Sequence, residues 1–258
     1  MLKFAANLSF LFADAPFLDR FSRAAAAGFK GVEYMFPYAF PQAEIAERLQ
    51  AHGLEQVLFN LPAGDWEAGE RGIGCHPDRV EEFRAGVATA LDYALALGCK
   101  RLNCLAGIAP AGVAEAELRA TFIANLRWAH EKLSPHGIRL LAEPINSRVD
   151  MPGFWLDTPS KGLAVLAEAG VGELQYDLYH AQIMEGDLTR FLENNLSRIG
   201  HLQIADNPGR HEPGTGEIHY SYLFRRLEEL AYPGWIGCEY KPQAGTEAGL
   251  GWMAEAIA

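Results

Sequence analysis

The chain has 258 residues, of which 49% are hydrophobic, and its formal net charge at pH 7 is −11. This length and apolar content are sufficient for one large hydrophobic core, and we expect a single domain over residues 1–258. The acidic balance and the lack of a basic tract argue against nucleic acid or an anionic membrane as a partner, and no apolar stretch is long enough to span a bilayer. The N-terminus has no signal-peptide pattern and the cysteines have no C-x-x-C spacing, so we expect a cytoplasmic protein with reduced, mostly buried thiols.

Segments rich in β-branched, aliphatic or aromatic residues alternate along the chain with amphipathic helical patterns. The predicted strands cover residues 4–8, 32–36, 54–60, 101–105, 138–143, 173–177, 201–205 and 235–239. The predicted helices cover residues 16–27, 41–51, 77–97, 114–133, 188–196, 220–230 and 247–257. One more helix begins at the start signal Asp157-Thr158-Pro159 and reaches Ala169. Glycine follows most of the helices, as expected for a residue that closes a helix in the left-handed conformation.

This alternation predicts parallel strands joined by crossover helices, and therefore the α/β class. Strand–helix pairs without a flexible linker or a low-complexity tract favour a single closed (β/α)8 barrel. An open, doubly wound sheet is the alternative, but such a sheet usually carries a glycine-rich phosphate loop after its first strand. Here residues 7–10 (Asn-Leu-Ser-Phe) occupy that place, so the barrel is the favoured fold.

Four side chains with oxygen acceptors stand at the ends of successive predicted strands. They are Glu143, Asp177, Gln203 and Glu239. Because the carboxyl ends of barrel strands meet at one rim, the sequence places all of them at the same opening. The period-two alternation of each strand also points them into the barrel, while the apolar neighbours face the helices.

Carboxylates that share one rim repel one another unless a cation or shared protons hold them together. A first shell made only of oxygen atoms suits Mg²⁺ or Mn²⁺ better than Zn²⁺, which prefers nitrogen and sulfur ligands. We therefore predict a divalent metal bound by Glu143, Asp177, Gln203 and Glu239. The alternative is that these rim residues are satisfied by helix N-termini and neighbouring basic side chains.

Four further residues are candidates for substrate binding. His180 lies just past the sixth strand, where it can face the cavity as a neutral hydrogen-bond donor or be satisfied by a backbone carbonyl. Arg210 follows the seventh strand, and its planar fork suits a substrate carboxylate, although it could equally be a surface residue. Lys241, just past Glu239, is a second and weaker cation candidate, and Arg71 could also meet an anionic substrate.

The loop over residues 60–72 is long and contains Trp66 among glycines and charged residues. Such a loop can close over the mouth of the barrel and exclude water, which would protect a reactive intermediate. It could instead pack at a subunit contact with Trp66 as its anchor. The segment 148–154 raises the same two alternatives.

Several stretches of the chain resemble hydroxypyruvate isomerase, a branch of the xylose-isomerase-like barrels. The stretches that carry this resemblance are NLPAGDWEAGERGI (60–73), AEPIN (142–146), YDLYH (176–180), HLQIADNP (201–208), EPGTGEI (212–218) and GCEYKP (237–242). The resemblance implies interconversion of hydroxypyruvate and 2-hydroxy-3-oxopropanoate (tartronate semialdehyde) through an enediolate, with Glu143 and Glu239 as the proton-transfer pair. It also implies a divalent metal at the four strand ends, although related barrels often have His where Gln203 stands.

The same motifs are close to those of 2-oxo-tetronate isomerases, which act on a substrate one carbon longer, and ketose 3-epimerases share the barrel. A metal-dependent phosphodiesterase or endonuclease would need several His ligands and a basic groove, which this chain lacks at its strand ends. A non-catalytic binding protein for sugar acids is a further alternative, but it would not need two opposed carboxylates. By analogy with similar barrels, a homo-oligomer is expected.

Overall fold

The computed structural model describes residues 1–257, with side chains up to residue 254; the last residue of the predicted domain, Ala258, lies outside this range. The strands are β1 (Lys3–Asn7), β2 (Gly31–Glu33), β3 (Glu55–Asn60), β4 (Arg101–Cys104), β5 (Arg139–Ala142), β6 (Glu173–Asp177), β7 (Ile199–Ile204) and β8 (Trp235–Cys238). Each strand pairs in parallel with the next, and β8 pairs with β1, which closes the barrel. The predicted (β/α)8 fold is therefore confirmed.

The helices surround the barrel in the order that the sequence predicts, with one addition. They are α1 (Arg20–Ala26), α2 (Gln42–His52), α3 (Val80–Leu97), α4 (Glu115–Leu133), α5 (Pro159–Ala169), α6 (Leu178–Met184), α7 (Leu188–Asn195), α8 (Tyr220–Glu229) and α9 (Gly251–Ile257). Helix α6 was not predicted, since the predicted strand 173–177 was followed by no helix before residue 188. Its start is set by Asp177, whose side chain accepts a hydrogen bond from the peptide N–H of Tyr179 as an N-cap.

Helix α5 shows why the predicted boundaries agree with the structure. Thr158 is its N-cap and accepts a hydrogen bond from the peptide N–H of Lys161 at 3.2 Å, and Pro159 occupies the first turn. The helix ends at Gly170, whose φ of +70° is the left-handed conformation that closes the last turn. This local chemistry fixes the point where the chain turns back toward β6.

The main hydrophobic core lies between the strands and the surrounding helices, and a smaller cluster is separate from it. The smaller cluster consists of Ala5, Val57, Leu58, Leu141 and Trp235, all of them buried. These residues come from β1, β3, β5 and β8, as expected for a layer of side chains that fills the inside of a barrel. The apolar layer closes the barrel below the carboxyl ends of the strands, where the polar residues begin.

Two expectations from composition can be compared with the described residues. The cysteines Cys75, Cys99, Cys104 and Cys238 are buried and unbonded, as predicted. None of the helices within residues 1–257 is both long and apolar enough to cross a membrane. The predicted cytoplasmic location and homo-oligomeric state stay predictions.

Candidate active site

A cavity of about 230 Å³ opens at the carboxyl ends of the barrel strands. Most of the predicted site residues line it, namely Glu143, His180, Gln203, Arg210, Glu239 and Lys241. The rest of the wall is largely apolar and includes Phe10, Met35, Trp66, Leu105, Ile145 and Met151. A small cavity with an apolar wall and a few converging polar groups is typical of a binding site for a small molecule.

Glu143 lies directly after β5 and is almost fully buried. Its Oε2 accepts a hydrogen bond of 2.8 Å from Nδ2 of Asn103 on β4, and the same nitrogen donates to Oδ1 of Asn60 at 3.1 Å. Burial, followed by the charges of Glu239 and Asp177, raises the pKa of Glu143 well above its usual range. A carboxyl group held in one orientation with a raised pKa can both accept and deliver a proton near neutral pH.

Glu239 lies directly after β8, and both of its carboxylate oxygens are engaged. Oε2 accepts hydrogen bonds from the amide nitrogens of Asn7, at 3.1 Å, and of Gln203. Oε1 accepts a hydrogen bond of 2.6 Å from Nη2 of Arg210. Burial raises the pKa of Glu239 to about 8, although the charge of Arg210 opposes this shift.

Arg210 is a buried cation at the centre of these carboxylates. Its guanidinium lies near the rings of Phe10 and Tyr179, at 4.9 and 5.3 Å from the ring centroids. Nη1 donates to Oδ1 of Asp150 at 3.2 Å, in addition to the bond from Nη2 to Glu239. Burial alone would lower the pKa of Arg210, but the surrounding carboxylates raise it above its ordinary value, so the side chain is charged. Its backbone has a positive φ of 58°, so the loop is held in a strained conformation to place this group.

Asp177 and His180 are close to Glu143 and to each other. Ligand atoms of these three residues lie within 4.8 Å of one another, and His180 Nε2 is 3.5 Å from Asp177 Oδ2. Asp177 Oδ1 caps α6, whereas Oδ2 is buried and has no hydrogen-bond partner among the described residues. Burial raises the pKa of Asp177 to about 6, against the opposing charge of Arg210.

The hydrogen bonds of Asn146 determine the tautomer of His180. Oδ1 of Asn146 accepts from the peptide N–H groups of Val149 and Asp150, so its Nδ2 is the atom that faces Nδ1 of His180, at 2.7 Å. His180 Nδ1 must then accept, which places the ring hydrogen on Nε2. Burial, followed by the charge of Arg210, lowers the pKa of His180 well below its usual range, so the ring is neutral. In this arrangement Nε2 is a hydrogen-bond donor rather than a metal ligand.

Residues 21–256 match the family model described as "Xylose isomerase-like TIM barrel". The chain belongs to this family. It is 54% identical over 255 residues to the "Hydroxypyruvate isomerase" of Escherichia coli (strain K12), with 98% of each chain covered. It is also 49% identical, with the same coverage, to a "2-oxo-tetronate isomerase" of Cupriavidus necator. The resemblance that the sequence motifs predicted is confirmed by these similarities.

A crystal structure from Brucella melitensis described as "AP endonuclease, family 2" superimposes on this xylose-isomerase-like barrel with a TM-score of 0.96. The two chains are 50% identical and each is 98% covered. A solved 3-keto-D-glucoside 4-epimerase from E. coli has a TM-score of 0.82 at 21% identity, over 98% of this chain and 99% of that chain. At that identity the similarity shows a shared fold alone.

Ligand atoms of Glu143, Asp177 and His180 lie together, and the carboxylates of Glu143 and Asp177 make this site a candidate metal centre, with the neutral His180 beside them as a hydrogen-bond donor. The buried, unpaired Oδ2 of Asp177 and the raised pKa values of Asp177, Glu143 and Glu239 fit a divalent cation, whose charge would offset the repulsion between the carboxyl groups. The structure adds His180 to the neighbourhood of the predicted ligands. The predicted ligand set of Glu143, Asp177, Gln203 and Glu239 stays a prediction.

The remaining predicted substrate-binding residues occupy different places. Lys241 lines the cavity, and its peptide N–H donates to the carbonyl of Arg210 at 2.7 Å, which couples the two cations through the backbone. Arg71 lies behind Trp66 rather than in the described cavity wall: its guanidinium is 4.4 Å from the indole ring, and it donates to the carbonyls of Trp66 and Glu70. Direct contact between Arg71 and a substrate therefore requires the loop to move.

Both long loops contribute to the wall of the cavity. Trp66 from the loop after β3 lines it and packs against Phe36, with ring centroids 5.1 Å apart. Met151 from the loop after β5 also lines it, and the neighbouring Asp150 binds Arg210 and accepts a hydrogen bond from the hydroxyl of Tyr179 at 2.9 Å. The loops therefore shape the site in this conformation, whichever of them moves.

Polar residues from the first half of the barrel also belong to the site, and they were not predicted. Asn7, Glu33 and Asn103 lie at or near the ends of β1, β2 and β4, and each bonds directly to other polar groups of the site. Glu143 and Glu239 were predicted because polar residues at the carboxyl ends of barrel strands converge on one site. The same rule, applied to β1, β2 and β4, identifies Asn7, Glu33 and Asn103. Asp150 carried no comparable signal, because its role depends on the path of a loop.

Proposed function

We propose that this protein is a hydroxypyruvate isomerase that interconverts hydroxypyruvate and 2-hydroxy-3-oxopropanoate by proton transfer through an enediolate. The observation that carries the proposal is the 54% identity to the E. coli hydroxypyruvate isomerase over 98% of both chains. The site agrees with it, because two buried carboxyl groups, Glu143 and Glu239, face one small cavity that also contains a buried cation, Arg210.

The reaction moves a proton between two adjacent carbon atoms. One carboxylate of the pair Glu143 and Glu239 removes a proton from C3 of hydroxypyruvate, next to the C2 carbonyl, and leaves an enediolate. The other carboxyl group delivers a proton to C2, and the proton of the C3 hydroxyl moves to the C2 oxygen, which gives the aldehyde at C3. The raised pKa values of both groups suit these roles, because a general acid or base works best when its pKa is near the working pH.

The surrounding residues orient the substrate and exclude water. His180 can donate from Nε2 to a substrate oxygen, and Arg210 and Lys241 supply positive charge for the substrate carboxylate. The apolar wall around Trp66 and Met151 keeps solvent away from the intermediate. Arg71 would act on the same wall through its contact with Trp66.

Glu143, Asp177, Gln203 and Glu239 would hold a divalent metal, Mg²⁺ or Mn²⁺, in this proposal. When bound, such an ion supplies Lewis-acid stabilisation of negative charge on substrate oxygen. The chain itself contributes the orientation of its ligands: Tyr179 fixes Asp177 through the helix cap, and Asn103 fixes Glu143.

We expect Asp177→Asn to weaken Mn²⁺ binding by about 10-fold or more, because ligating carboxylates are the groups that hard cations require. Asn retains an oxygen for the N-cap of α6, so the fold should be unaffected. Mn²⁺ binding followed by electron paramagnetic resonance measures this directly, and Asp187→Asn, at an exposed carboxylate, is the matched control. Equal Mn²⁺ affinity in Asp177→Asn and the unmodified protein would remove Asp177 from the ligand set.

The isomerase activity of the unmodified protein should also be lost when a chelator removes the metal, and it should return when Mn²⁺ or Mg²⁺ is added.

We expect Arg210→Ala to raise KM for hydroxypyruvate about 10–100-fold, which corresponds to the loss of charge-assisted hydrogen bonds to a carboxylate. The value of kcat should fall less, since the guanidinium binds rather than reacts. Arg210→Lys is the informative partner variant, because it retains a positive charge without the planar fork. Steady-state kinetics separates the two constants, and a larger change in kcat than in KM would contradict a carboxylate clamp.

A 2-oxo-tetronate is the second candidate substrate, and the 49% identity to the C. necator enzyme favours it as an alternative. The proton shift is the same, and the substrate is one carbon longer. The ratio of kcat/KM for hydroxypyruvate to that for a 2-oxo-tetronate decides between them. A ratio below one would mean that the 2-oxo-tetronate is the preferred substrate.

Other classes are distinguished by a different measurement. The Brucella structure is described as an AP endonuclease, whereas the site here is a cavity of about 230 Å³ rich in carboxylates on a chain with a net charge of −11, which disfavours a polyanion. Incorporation of deuterium from solvent into the product identifies an isomerase. A protein that binds the acid but shows no exchange would be a binding protein, and cleavage of DNA with an abasic site would favour the endonuclease.

A further inference from the structure

We propose that Glu33, a residue of β2, is a positioning residue that fixes the carboxylate of Glu239 for proton transfer. The inference rests on the proposed function, since it assigns Glu33 a part in the same reaction. Glu33 is fully buried, and it is absent from the described cavity wall, so it acts on Glu239 without touching the substrate. The connection between the two carboxylates runs through the amide groups of Asn7 and Gln203.

Each of the two amide groups donates to both carboxylates. Nδ2 of Asn7 donates to Oε1 of Glu33 at 3.0 Å and to Oε2 of Glu239 at 3.1 Å. Nε2 of Gln203 donates to Oε1 of Glu33 at 2.8 Å and also to Oε2 of Glu239. A primary amide has two N–H groups, so each amide can satisfy both oxygens at once. Glu33 and Glu239 are thus joined by two parallel bridges.

The bridges determine which oxygen of Glu239 faces the amides and which faces Arg210. Both amides bind Oε2, which leaves Oε1 on the side of Arg210. The amide oxygens of Asn7 and Gln203 accept from the peptide N–H of Ser9 at 3.1 Å and from Nε2 of Gln175 at 2.6 Å, so the oxygen side of each amide is held independently of Glu33. Without Glu33, the amide nitrogens would lose the acceptor that directs them toward Oε2 of Glu239. Proton transfer is sensitive to this orientation, because misplacement of a reacting group by about 1 Å can cost about 100-fold in rate.

The barrel is built around the carboxylate of Glu33. Nε2 of the fully buried His201 lies 2.6 Å from Oε2 of Glu33, on the side away from the amides. Residue 237 on β8 is glycine, and a Cβ there would lie 2.2 Å from Oε1 of Glu33, so the missing side chain provides the space for the carboxylate. Burial of a carboxylate is costly unless it is fully bonded, and the layer below is filled with apolar side chains such as Leu141. Apolar residues at position 33 and at its polar partners would fill this space without the cost of burying a charge, so the retained carboxylate points to a role in the site above it.

The test compares Glu33→Met with Glu33→Gln. Met has a similar length but accepts no hydrogen bond from either amide, so kcat should fall about 10–100-fold, as for other residues that orient catalytic groups. KM should change by less than about threefold, because the cavity wall is intact. Gln keeps one oxygen that can accept from both amides, and His201 can accept from the new amide group through its other tautomer. Glu33→Gln should therefore restore kcat to within a few-fold of the original value.

Two further variants guard against a simple loss of folding. Asn7→Leu removes one of the two bridges and leaves Glu33 in place, and it should lower kcat in the same direction by a smaller factor. Gln56→Met, at a buried polar residue of β3 that bonds only to the backbone, is the control and should leave kcat unchanged. Circular dichroism and thermal melting show whether each variant is folded.

Crystal structures of the unmodified protein and of Glu33→Met supply a readout that does not depend on activity. A displaced or multiply ordered Glu239 carboxylate in the variant supports the inference, and an unchanged Glu239 overturns it. Equal loss of kcat in Glu33→Gln and Glu33→Met would also overturn it, because the charge of Glu33 rather than its acceptor geometry would then matter. Absence of isomerisation in the unmodified protein, with Glu239 displaced in the variant, would instead refute the proposed function alone.

Discussion

Glu143→Gln is expected to lower kcat for hydroxypyruvate by about 100–10,000-fold, the range that a general acid or base contributes. The amide of Gln cannot take up a proton from carbon, yet its oxygen can still accept the hydrogen bond from Asn103. The fold should therefore be retained. The melting temperature should be equal or higher, because the substitution removes a carboxyl group whose pKa is raised by burial and then by the charges of Glu239 and Asp177.

The measurement is steady-state kinetics together with thermal melting, and Glu131→Gln provides the matched control. Glu131 is an exposed glutamate on α4, far from the cavity wall, and its substitution should change neither kcat nor stability. A folded Glu143→Gln protein that turns over hydroxypyruvate at the original rate would exclude Glu143 from proton transfer.

Glu239→Gln should lower kcat by a similar factor, about 100–10,000-fold, but with a different effect on stability. Asn7 and Gln203 donate to Oε2 of Glu239 and Arg210 donates to Oε1, so both oxygens face donors. A Gln at this position can offer an oxygen to only one side, and its NH₂ group then faces a donor. We expect the free energy of unfolding to fall by about 1–3 kcal/mol, the cost of a buried polar group without a partner.

The contrast between the two variants is itself informative. Denaturant unfolding of Glu143→Gln, Glu239→Gln and Glu131→Gln in parallel measures the difference in stability under one condition. Equal stability of the two active-site variants would mean that the donors around Glu239 reorganise more freely than the hydrogen bonds indicate. The catalytic role of Glu239 would not be affected by that result, because it is tested by the kcat of Glu239→Gln.

Isotope exchange can assign the two carboxyl groups to the two carbon atoms. In deuterated solvent, exchange at C3 of hydroxypyruvate reports the group that removes the C3 proton, and exchange at C2 of the product reports the other group. Each variant should lose exchange at one carbon more than at the other. Loss of exchange at both carbons in one variant only would indicate that a single carboxyl group serves both positions.

The sequence predicted the structure correctly where the geometry depends on neighbouring residues alone. The helix signals Thr158, Pro159 and Gly170 gave the boundaries of α5, because capping depends on neighbouring residues alone. Helix α6 was missed, although Asp177 has the chemistry of an N-cap, because its position at the end of a strand suggested only a ligand. Asp177 is both a candidate ligand at the end of β6 and the N-cap of α6, and the strand-end pattern indicated only the first of these roles.

The placement of the rim residues also followed from the sequence. Strand alternation and the closed parallel barrel bring Glu143, Gln203 and Glu239 to one cavity, since inward positions at the carboxyl ends of the strands must converge. Arg210 was proposed from its chemistry and its place in a loop after β7. Its central position among Glu239, Asp150 and Asp177 was not predictable, because it depends on how two loops cross over the barrel.

The sequence by itself determined the barrel, the rim on which the site lies and the oxygen-rich character of that site, because each of these depends on residue type and on short-range periodicity. Only the tertiary structure decided which side chains form hydrogen bonds with one another. Asn7 bonds to Glu239 although 232 positions separate them in the sequence, and Glu33 is connected to the site through the amide groups of Asn7 on β1 and Gln203 on β7. Such contacts require agreement within a few tenths of an ångström between strands that pair only when the barrel closes. The position and surroundings of the reactive carboxylates are therefore properties of the closed fold.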